Sequence, residues 1–300
     1  MISEYALEPE MVATWWRRRD YRFFIREFGD DEGRVVSRYP KKWAQKVWRA
    51  FDGSSQMERK RLEELLVQLK KNMVKRKEIV WDENTTWLDN AIQEHTRYPF
   101  RAILALNNAA DIPDILCEAD LDDSSNYWDR PYGKSVRRNV DEMVEPIESM
   151  LLCCRWVKFI DPYISTARPD YRPSLKAFLK ILAGERPVGL PSFIEIHTGL
   201  GNPTETFLKE EYIQIVPAGL RVTLYQWEAI PNEQELHNRY ILTDIGGVAF
   251  LHGLDIGNNN SKDDIFRLAR DQYDLRCEQY DPEKPAFEKA ANPIIITGTR

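Results

Sequence analysis

The chain has 300 residues, of which 43% are hydrophobic and 30% charged, and its formal net charge is −6 at pH 7. This composition predicts a folded protein of about two domains, and it excludes a disordered chain and a uniformly basic nucleic-acid binder. The four cysteines have neither metal-ligand nor disulfide-framework spacing, which favours a reducing compartment. With no secretory signal at the start and no apolar run of about 20 residues, we expect a cytoplasmic protein with no membrane partner.

The first 150 residues have mainly helical periodicity. Apolar residues recur every three or four positions from Leu62 to Leu69, shortly after a serine that can cap a helix. In residues 4–28 arginines alternate with aromatics, a pattern more typical of a packed helical element than of a base-stacking surface. Besides a short strand at 101–106, helices are predicted at about 40–51, 56–77, 87–95 and 136–153. We therefore predict an α-rich N-terminal domain over residues 1–150.

Charge is unevenly distributed within this half. Residues 34–80 hold 14 Lys/Arg against 5 Asp/Glu, a local balance of 14 − 5 = +9, whereas residues 111–129 are acidic. Such asymmetry is typical of a polyanion-binding surface, and equally of two faces that meet each other. We expect the N-terminal domain to bind nucleic acid or, through residues 34–130, a protein partner.

From Arg155 onward, strand and helix patterns alternate. Strands are predicted at 156–160, 192–196, 220–227 and 273–280, helices at 173–183, 204–216 and 285–291, and a β-hairpin at 240–251. Alternation of this kind is typical of a largely parallel sheet covered by helices on both faces. The sequence thus predicts a mixed α/β fold for residues 151–300, with a mostly parallel sheet flanked by helices.

The hairpin carries the most informative motif, in which His237, Arg239 and Asp244 are spaced as H-x-R-x4-D. Two apolar, β-prone runs lie on either side of a turn that contains Gly246-Gly247, which predicts a hairpin. The two-residue period of a strand puts His237 and Arg239 on one face. Gly253 then ends the second strand, at a point where backbone can approach a ligand closely.

This motif resembles that of the phospholipase D superfamily, which reads H-x-K-x4-D, then a strand, then G-S-x-N. Here Arg239 stands in place of the lysine, and Gly253-Leu254-Asp255 stands in place of G-S-x-N, so the serine is lost and the asparagine becomes aspartate. Asp161-Pro162-Tyr163 and Tyr280-Asp281-Pro282 also resemble the two ends of a phospholipase D-like half. The resemblance covers residues 155–291 and implies a phospholipase D-like arrangement of the sheet.

Members of that superfamily cut phosphodiesters through a histidine nucleophile, with no metal or cofactor, while a second histidine acts as acid and base. The resemblance implies that His237 is nucleophile or acid and that Arg239 binds phosphate, because a guanidinium forks onto two oxygens. Asp244 would orient a histidine or support Arg239. An ionised Asp255 repels phosphate, so we expect it to hold Arg239 or a histidine. Substrate-binding residues are predicted at His197, His252, Gly253 and Asn258.

One motif supplies one histidine, and the mechanism needs two. We therefore predict a twofold homodimer, which would bring two copies of His237 together. Within the chain, His197 and His252 are the alternatives, although a hydrogen-bonded structural histidine is the plainer interpretation of each. We favour a nuclease over a lipase, because residues 34–80 are basic and no membrane-seeking segment is present. The competing hypotheses are a catalytically degraded relative that binds or senses nucleic acid or acts as a scaffold, and a protein-interaction module.

Overall fold

The computed structural model describes residues 1–71, 73–122, 125–201, 204–231, 235–258 and 260–299. The chain divides into two compact units, one of residues 2–131 and the other of residues 132–300 together with Met1. Among the described residues, no helix is long and apolar enough to span a membrane.

The unit 2–131 contains a four-stranded parallel sheet. Its strands are β1 (Ser3–Leu7), β2 (Arg34–Val36), β3 (Ala102–Leu104) and β4 (Ile115–Leu116), in the order β2-β1-β3-β4. Its helices are α1 (Pro9–Val12), α2 (Arg18–Glu27), α3 (Trp43–Ala50), α4 (Gln56–Lys70) and α5 (Trp87–Arg97). The strand predicted at 101–106 is confirmed as β3, but the prediction of an α-rich domain missed the other three strands of this sheet. Its strands have five residues or fewer. Strand β1 is buried on both faces, so its sequence lacks the alternation of apolar and polar residues that indicates a strand.

Helix α4 shows how the local sequence determines where a helix of this unit begins. Ser55 and Glu58 form a reciprocal capping box, with Ser55 Oγ accepting from Glu58 N at 3.2 Å and the Glu58 carboxylate accepting from Ser55 N at 2.9 Å. The leucine stripe that follows is buried. The helix ends at Lys70 rather than at 77, because Val74 pairs with Ser37 beyond β2 and Arg76 is buried between two glutamates.

The second unit is built on a nine-stranded sheet. Its strands are β5 (Gly133–Arg137), β6 (Trp156–Ile160), β7 (Phe193–Gly199), β8 (Arg221–Glu228), β9 (Tyr240–Thr243), β10 (Gly246–Phe250), β11 (Lys262–Arg267), β12 (Glu288–Lys289) and β13 (Ile294–Thr297). Their order is β12-β8-β7-β6-β9-β10-β11-β5, and β13 also pairs with β8. Its helices are α6 (Val140–Val144), α7 (Glu148–Cys153), α8 (Arg172–Ala183), α9 (Glu205–Ile213) and α10 (Arg270–Gln279).

The predicted boundary at residue 150 is too late. Residues 133–137 form β5 and pair with β11, although the last two of them were predicted to begin a long helix. Two short helices, α6 and α7, take the place of the single helix predicted at 136–153. The unit therefore begins at Tyr132, because a strand belongs with the sheet that satisfies its backbone hydrogen bonds.

The predicted mixed α/β class is confirmed, but a mostly parallel sheet is wrong for this unit. Only β6–β7 and β7–β8 are parallel, and the other described pairings of the sheet are antiparallel. Helices α8 and α9 connect β6, β7 and β8, as parallel crossovers require. After β8 the chain continues through the predicted hairpin β9–β10 into β11, and the described residues between these strands contain no helix. Strands joined by such short connections, β9 to β10 and β10 to β11, run antiparallel.

Two predictions near the C-terminus are wrong. The segment 273–280, expected to be a strand, belongs mainly to helix α10, and residues 285–291 contain the two-residue strand β12 instead of a helix. Tyr273, Cys277 and Tyr280 recur at i, i+4 and i+7, which is helical spacing, and all three pack into one core cluster. Because aromatic residues are common in strands, the segment was predicted as a strand despite this helical spacing.

Candidate functional site

Strand register brings three segments to one edge of the sheet in the second unit. Tyr240 of β9 pairs with Ile160 of β6, so Arg239 and Asp161 lie at the same edge. β10 runs antiparallel to β9, and Phe250 N donates to the Arg239 carbonyl at 3.0 Å. The chain that follows β10 therefore returns to this edge, which we call the Arg239 edge.

Arg239 is half-buried and is held mainly by neutral groups. Its Nη1 donates to the carbonyl oxygens of His237 and Leu251, each at 3.3 Å, and its guanidinium lies 5.4 Å from the ring centroid of Tyr163. Within the described residues, Nε has no hydrogen-bond partner and the guanidinium forms no salt bridge. A positive charge positioned by carbonyls, without a bonded carboxylate, is available to an incoming anion.

Two exposed histidines belong to the segments that Arg239 joins. His237 has a side chain 65% exposed, with Nε2 3.3 Å from the Glu235 carboxylate. His252 has a side chain 59% exposed, with Nδ1 3.2 Å from Asp263 Oδ1. Because Arg239 donates to the carbonyls of His237 and Leu251, one guanidinium fixes both histidine-bearing segments. His237 precedes β9 rather than lying on it, so the predicted placement of His237 and Arg239 on one strand face is wrong.

Asp263, a buried residue of the neighbouring strand β11, positions His252. Its carboxylate is fully buried on β11, and Oδ1 accepts from the backbone N–H of His252 at 3.0 Å as well as contacting the ring. Oδ2 has no hydrogen-bond partner among the described residues. A carboxylate at Nδ1 fixes the ring orientation and leaves Nε2 free to exchange a proton. Asp263 lies 11 residues after His252, in a strand that the sequence pattern did not predict, so no signal in the sequence pointed to it.

Asp161 shapes the backbone beside Arg239. This buried carboxylate accepts from Leu254 N at 3.0 Å, from Tyr163 N at 2.9 Å and from the Tyr171 hydroxyl at 3.2 Å. Burial raises the pKa of Asp161, and the backbone donors and the charge of Arg239 oppose part of that rise. In the sequence, Asp161-Pro162-Tyr163 predicts the end of a strand but gives Asp161 no role in a site.

Gly253 meets two carboxylates at this turn. Its φ is +144°, and a Cβ there would lie 2.6 Å from Asp255 Oδ1 and 3.1 Å from Asp161 Oδ2. Only glycine fits both the backbone conformation and the space. The turn therefore packs backbone against the two carboxylates next to Arg239.

Asp255 does not hold Arg239 or a histidine, so that prediction is wrong. It forms a salt bridge with Arg138 and lies 3.9 Å from an Arg168 nitrogen, with its side chain 14% exposed. Arg138 follows β5 and Arg168 follows β6, and neither position carried a recognisable signal in the sequence. The two guanidiniums compensate the negative charge that Asp255 would otherwise present to a phosphate.

Asp244 lies at the opposite end of β9 from Arg239, so it neither orients a site histidine nor supports Arg239. Its Oδ1 accepts from Arg155 N at 2.6 Å and its Oδ2 from Arg155 Nε at 2.7 Å. Four strand residues separate Asp244 from Arg239. Asp244 anchors the hairpin turn to the start of β6, which is a structural role.

His197 is a core histidine rather than a substrate-binding residue. Its Nδ1 accepts the indole N–H of Trp227 at 3.0 Å, its Nε2 lies 3.1 Å from Glu195 Oε2, and its ring stacks on Tyr225. Burial lowers the pKa of His197, although the Glu195 carboxylate raises it in part. With both ring nitrogens occupied, the plainer interpretation of this histidine is the correct one.

Asn258 is exposed and bonds its own loop. Its Oδ1 accepts from the Ser261 hydroxyl at 2.6 Å, and no described contact connects it to Arg239 or to either exposed histidine. The structure therefore does not bring this predicted substrate-binding residue to the Arg239 edge.

A cleft of about 230 Å³ adjoins the Arg239 edge. Tyr163 and Arg168 line it, and they also contact Arg239 and Asp255 respectively. Its floor includes Tyr212, whose buried hydroxyl has no hydrogen-bond partner in the described part of the chain. Among the described residues, no group of three or more His, Cys, Asp or Glu is arranged to hold a metal ion. The cleft itself is lined by neither Arg239 nor the two exposed histidines, and it adjoins them through Tyr163.

The fold defines a mixed α/β protein of two units, and the larger unit contains the Arg239 edge as its candidate site. No protein-family model matches the chain, and no curated protein matches its sequence.

Proposed function

We propose that the unit 132–300 cleaves phosphodiester bonds in nucleic acid without a metal ion, through a phosphohistidine at His237. The observation that carries the proposal is the position of Arg239, with Nη1 bonded to the carbonyls of His237 and Leu251 at 3.3 Å each. A guanidinium free of described salt bridges, held between two exposed histidine segments, suits a tetrahedral phosphate flanked by a nucleophile and an acid.

The two chemical steps need only these groups. Neutral His237 attacks phosphorus, a P–N bond forms, and the P–O bond to the leaving group breaks while protonated His252 donates a proton to the departing oxygen. In the second step, His252 accepts a proton from water, the oxygen attacks phosphorus, and the P–N bond breaks to restore His237. Arg239 binds the non-bridging oxygens in both steps.

His252 supports an intrachain site because it already has the buried Asp263 as a positioning partner. The alternative for the second histidine is a homodimer, in which His237 of a second copy acts as the acid. His237 is the nucleophile in both arrangements. They differ in whether cleavage requires His252.

The competing proposal is a catalytically degraded protein that retains nucleic-acid binding. The departures at Arg239 and Asp255 motivate it. Two observations favour activity: Arg239 keeps the positive charge, and Asp255 is neutralised by Arg138 and Arg168 rather than facing the site as a free anion.

The test is a digestion of labelled single- and double-stranded DNA and RNA in EDTA. We expect the parent to cut and His237→Ala and His252→Ala to lose about 10²- to 10⁴-fold in rate, the usual contribution of a histidine acid or base. His95→Ala is the matched control, since His95 also pairs with a carboxylate, Asp114 at 2.8 Å, but in the unit 2–131.

Each outcome separates the alternatives. Full activity in His252→Ala with loss in His237→Ala would reject the intrachain pair and favour the homodimer. A parent that binds the substrates but cuts none of them would favour the degraded protein. An acid-labile phosphate on the parent, absent from His237→Ala, would identify the phosphohistidine directly.

A further inference from the structure

The unit 2–131 contains two adjoining basic clefts that the proposed function does not use. The first, of about 450 Å³, is lined by five cationic side chains: Arg38, Lys41, Lys42, Lys70 and Lys75. The second, of about 380 Å³, shares Lys41 and Lys42 and adds Lys46, Arg49 and Trp81. Because both clefts are lined by these two lysines, they adjoin each other, and together we call them the Lys41–Lys42 groove.

The fold gathers these cations from separate elements. Arg38 follows β2, and its N–H donates to the Val74 carbonyl at 2.8 Å, which sets Lys75 beside it. Lys41 and Lys42 immediately precede α3, whose first residue, Trp43, is buried and donates its indole N–H to the Leu7 carbonyl at 2.6 Å. Lys70 ends α4. The concentration of charge is therefore a product of the sheet and two helix ends rather than of one helical face.

The cations of the first cleft differ in their ion pairing from the buried arginine that follows Lys75 in the chain. In the described part of the chain, none of the five cations of the first cleft forms a salt bridge, and Arg38 Nε has no hydrogen-bond partner. Arg76, next to Lys75, contrasts with them, because it is fully buried and pairs with Glu4 at 2.7 Å and Glu94 at 2.9 Å. The fold thus compensates the basic side chain that faces the core and leaves those of the groove to an external anion.

The second cleft differs in having an apolar wall. Ile79 and the half-buried Trp81 line it, and Lys46 Nζ lies 4.7 Å from the Trp81 ring centroid. Lys46 also forms a salt bridge with Glu83, which is long at 3.8 Å and joins an exposed carboxylate. A cationic cleft beside an aromatic one matches a ligand that alternates phosphate with a flat ring.

We propose that the Lys41–Lys42 groove binds a single strand of nucleic acid, with phosphates in the first cleft and a base against Trp81. An unpaired base is free to leave its own strand and contact the indole, whereas a duplex keeps its bases stacked inside. This site is independent of cleavage at the Arg239 edge. An acidic protein segment would satisfy the cations but would leave the Trp81 wall unused.

The experiment is fluorescence anisotropy with a labelled oligodeoxythymidine of about a dozen nucleotides, at several salt concentrations. The full chain carries His237→Ala throughout, so that cleavage at the other unit does not enter the measurement. On this background Lys41→Ala/Lys42→Ala is compared with Lys60→Ala/Lys77→Ala. The control pair removes the same charge from exposed lysines that line neither cleft.

We expect the groove pair to weaken binding at least about tenfold and to lower the slope of log K against log salt by about 1.4, since each single-strand phosphate contact contributes about 0.7. The control pair should stay within about twofold of the parent. Trp81→Leu should weaken binding about tenfold with little change in slope, because it removes stacking and no charge.

Three results would overturn the proposal. They are an equal loss in the control pair, an unchanged salt slope in the groove pair, and competition by polyglutamate as effective as that by unlabelled oligonucleotide of the same charge. Thermal unfolding of each variant checks that the exposed substitutions leave the fold intact. If the groove binds DNA while no variant of the whole chain ever cleaves it, the proposed function fails and this inference stands.

Discussion

Trp227 donates its indole N–H to Nδ1 of His197 at 3.0 Å, and this hydrogen bond determines which imidazole nitrogen carries the proton. Nδ1 must be the acceptor, so Nε2 bears the hydrogen and donates it to Glu195 at 3.1 Å. Glu195 in turn pairs with Lys158 at 3.2 Å. The neutral histidine thus links an aromatic stack to a buried ion pair, and its protonation would break the bond from Trp227.

Stability should therefore fall as the pH drops. Burial lowers the pKa of His197 in the folded protein. Below about pH 6.5 the imidazole is therefore protonated in the unfolded chain but not yet in the folded one, and this difference stabilises the unfolded state. Between about pH 7.5 and 5.5 the loss should reach at most about 1.4 kcal/mol for this one group. Urea unfolding at both values measures it. His197→Gln keeps an acceptor and a donor but does not titrate, and it should have a smaller pH dependence; an unchanged dependence would contradict the prediction.

Asp244→Ala should reduce stability and spare cleavage. Its carboxylate accepts the Arg155 backbone N–H and its guanidinium at the far end of β9, so removing it leaves a loosened hairpin turn. The cost should be about 1–2 kcal/mol, mainly from the backbone bond, because Arg155 is largely exposed. Thermal unfolding and the cleavage rate per folded molecule check this. If the variant folds but no longer cleaves, Asp244 contributes to catalysis and this prediction is wrong.

Arg239→Ala should weaken substrate binding and reduce the cleavage rate together, by about 10²- to 10³-fold in kcat/KM, as for loss of one preorganised donor to a developing charge. Arg239→Lys keeps the charge and should keep much of the activity, although a single ammonium cannot fork onto two oxygens. The exposed Arg221→Ala on β8 is the matched control and should behave as the parent. Unaltered kinetics in Arg239→Ala would remove this residue from the mechanism.

Gly253→Ala should be destabilising and inactive. A Cβ there would meet Asp255 Oδ1 at 2.6 Å, and the φ of +144° adds backbone strain of about 1–3 kcal/mol. Gly219→Ala supplies the control, because its φ is +84° but nothing lies within 4 Å of the added Cβ. The difference between the two melting temperatures isolates the steric part. Equal destabilisation would mean that the carboxylates move aside without cost.

The assembly state follows from which histidine is the acid. An intrachain pair of His237 and His252 predicts a specific activity that does not change on dilution. A homodimeric site predicts a loss of activity as light scattering reports dissociation. Retained activity in a demonstrated monomer would reject the shared site.

Local patterns were most reliable where a short stretch contains all the information an element needs. Helix α4 follows from a serine cap and a leucine stripe, and the hairpin β9–β10 from two β-prone runs around a glycine turn. Strand β3 was predicted at 101–106, but β1, β2, β4 and the strand β5 of the other unit escaped detection, because their pairing partners lie far along the chain. Residues 273–280 failed for another reason: strand-forming residue types occurred at helical spacing.

For the site, the sequence by itself determined the presence of His237, Arg239 and Gly253 near one hairpin, because covalent spacing and strand geometry limit how far they can separate. Only the tertiary structure decided their partners. Strand pairings across the sheet place Asp263 next to His252 and Arg138 next to Asp255. The length of β9 places Asp244 at the opposite end of the strand from Arg239. Spacing along a chain constrains neighbours within a few residues, whereas contacts between strands depend on register, which is set by the packing of the whole sheet.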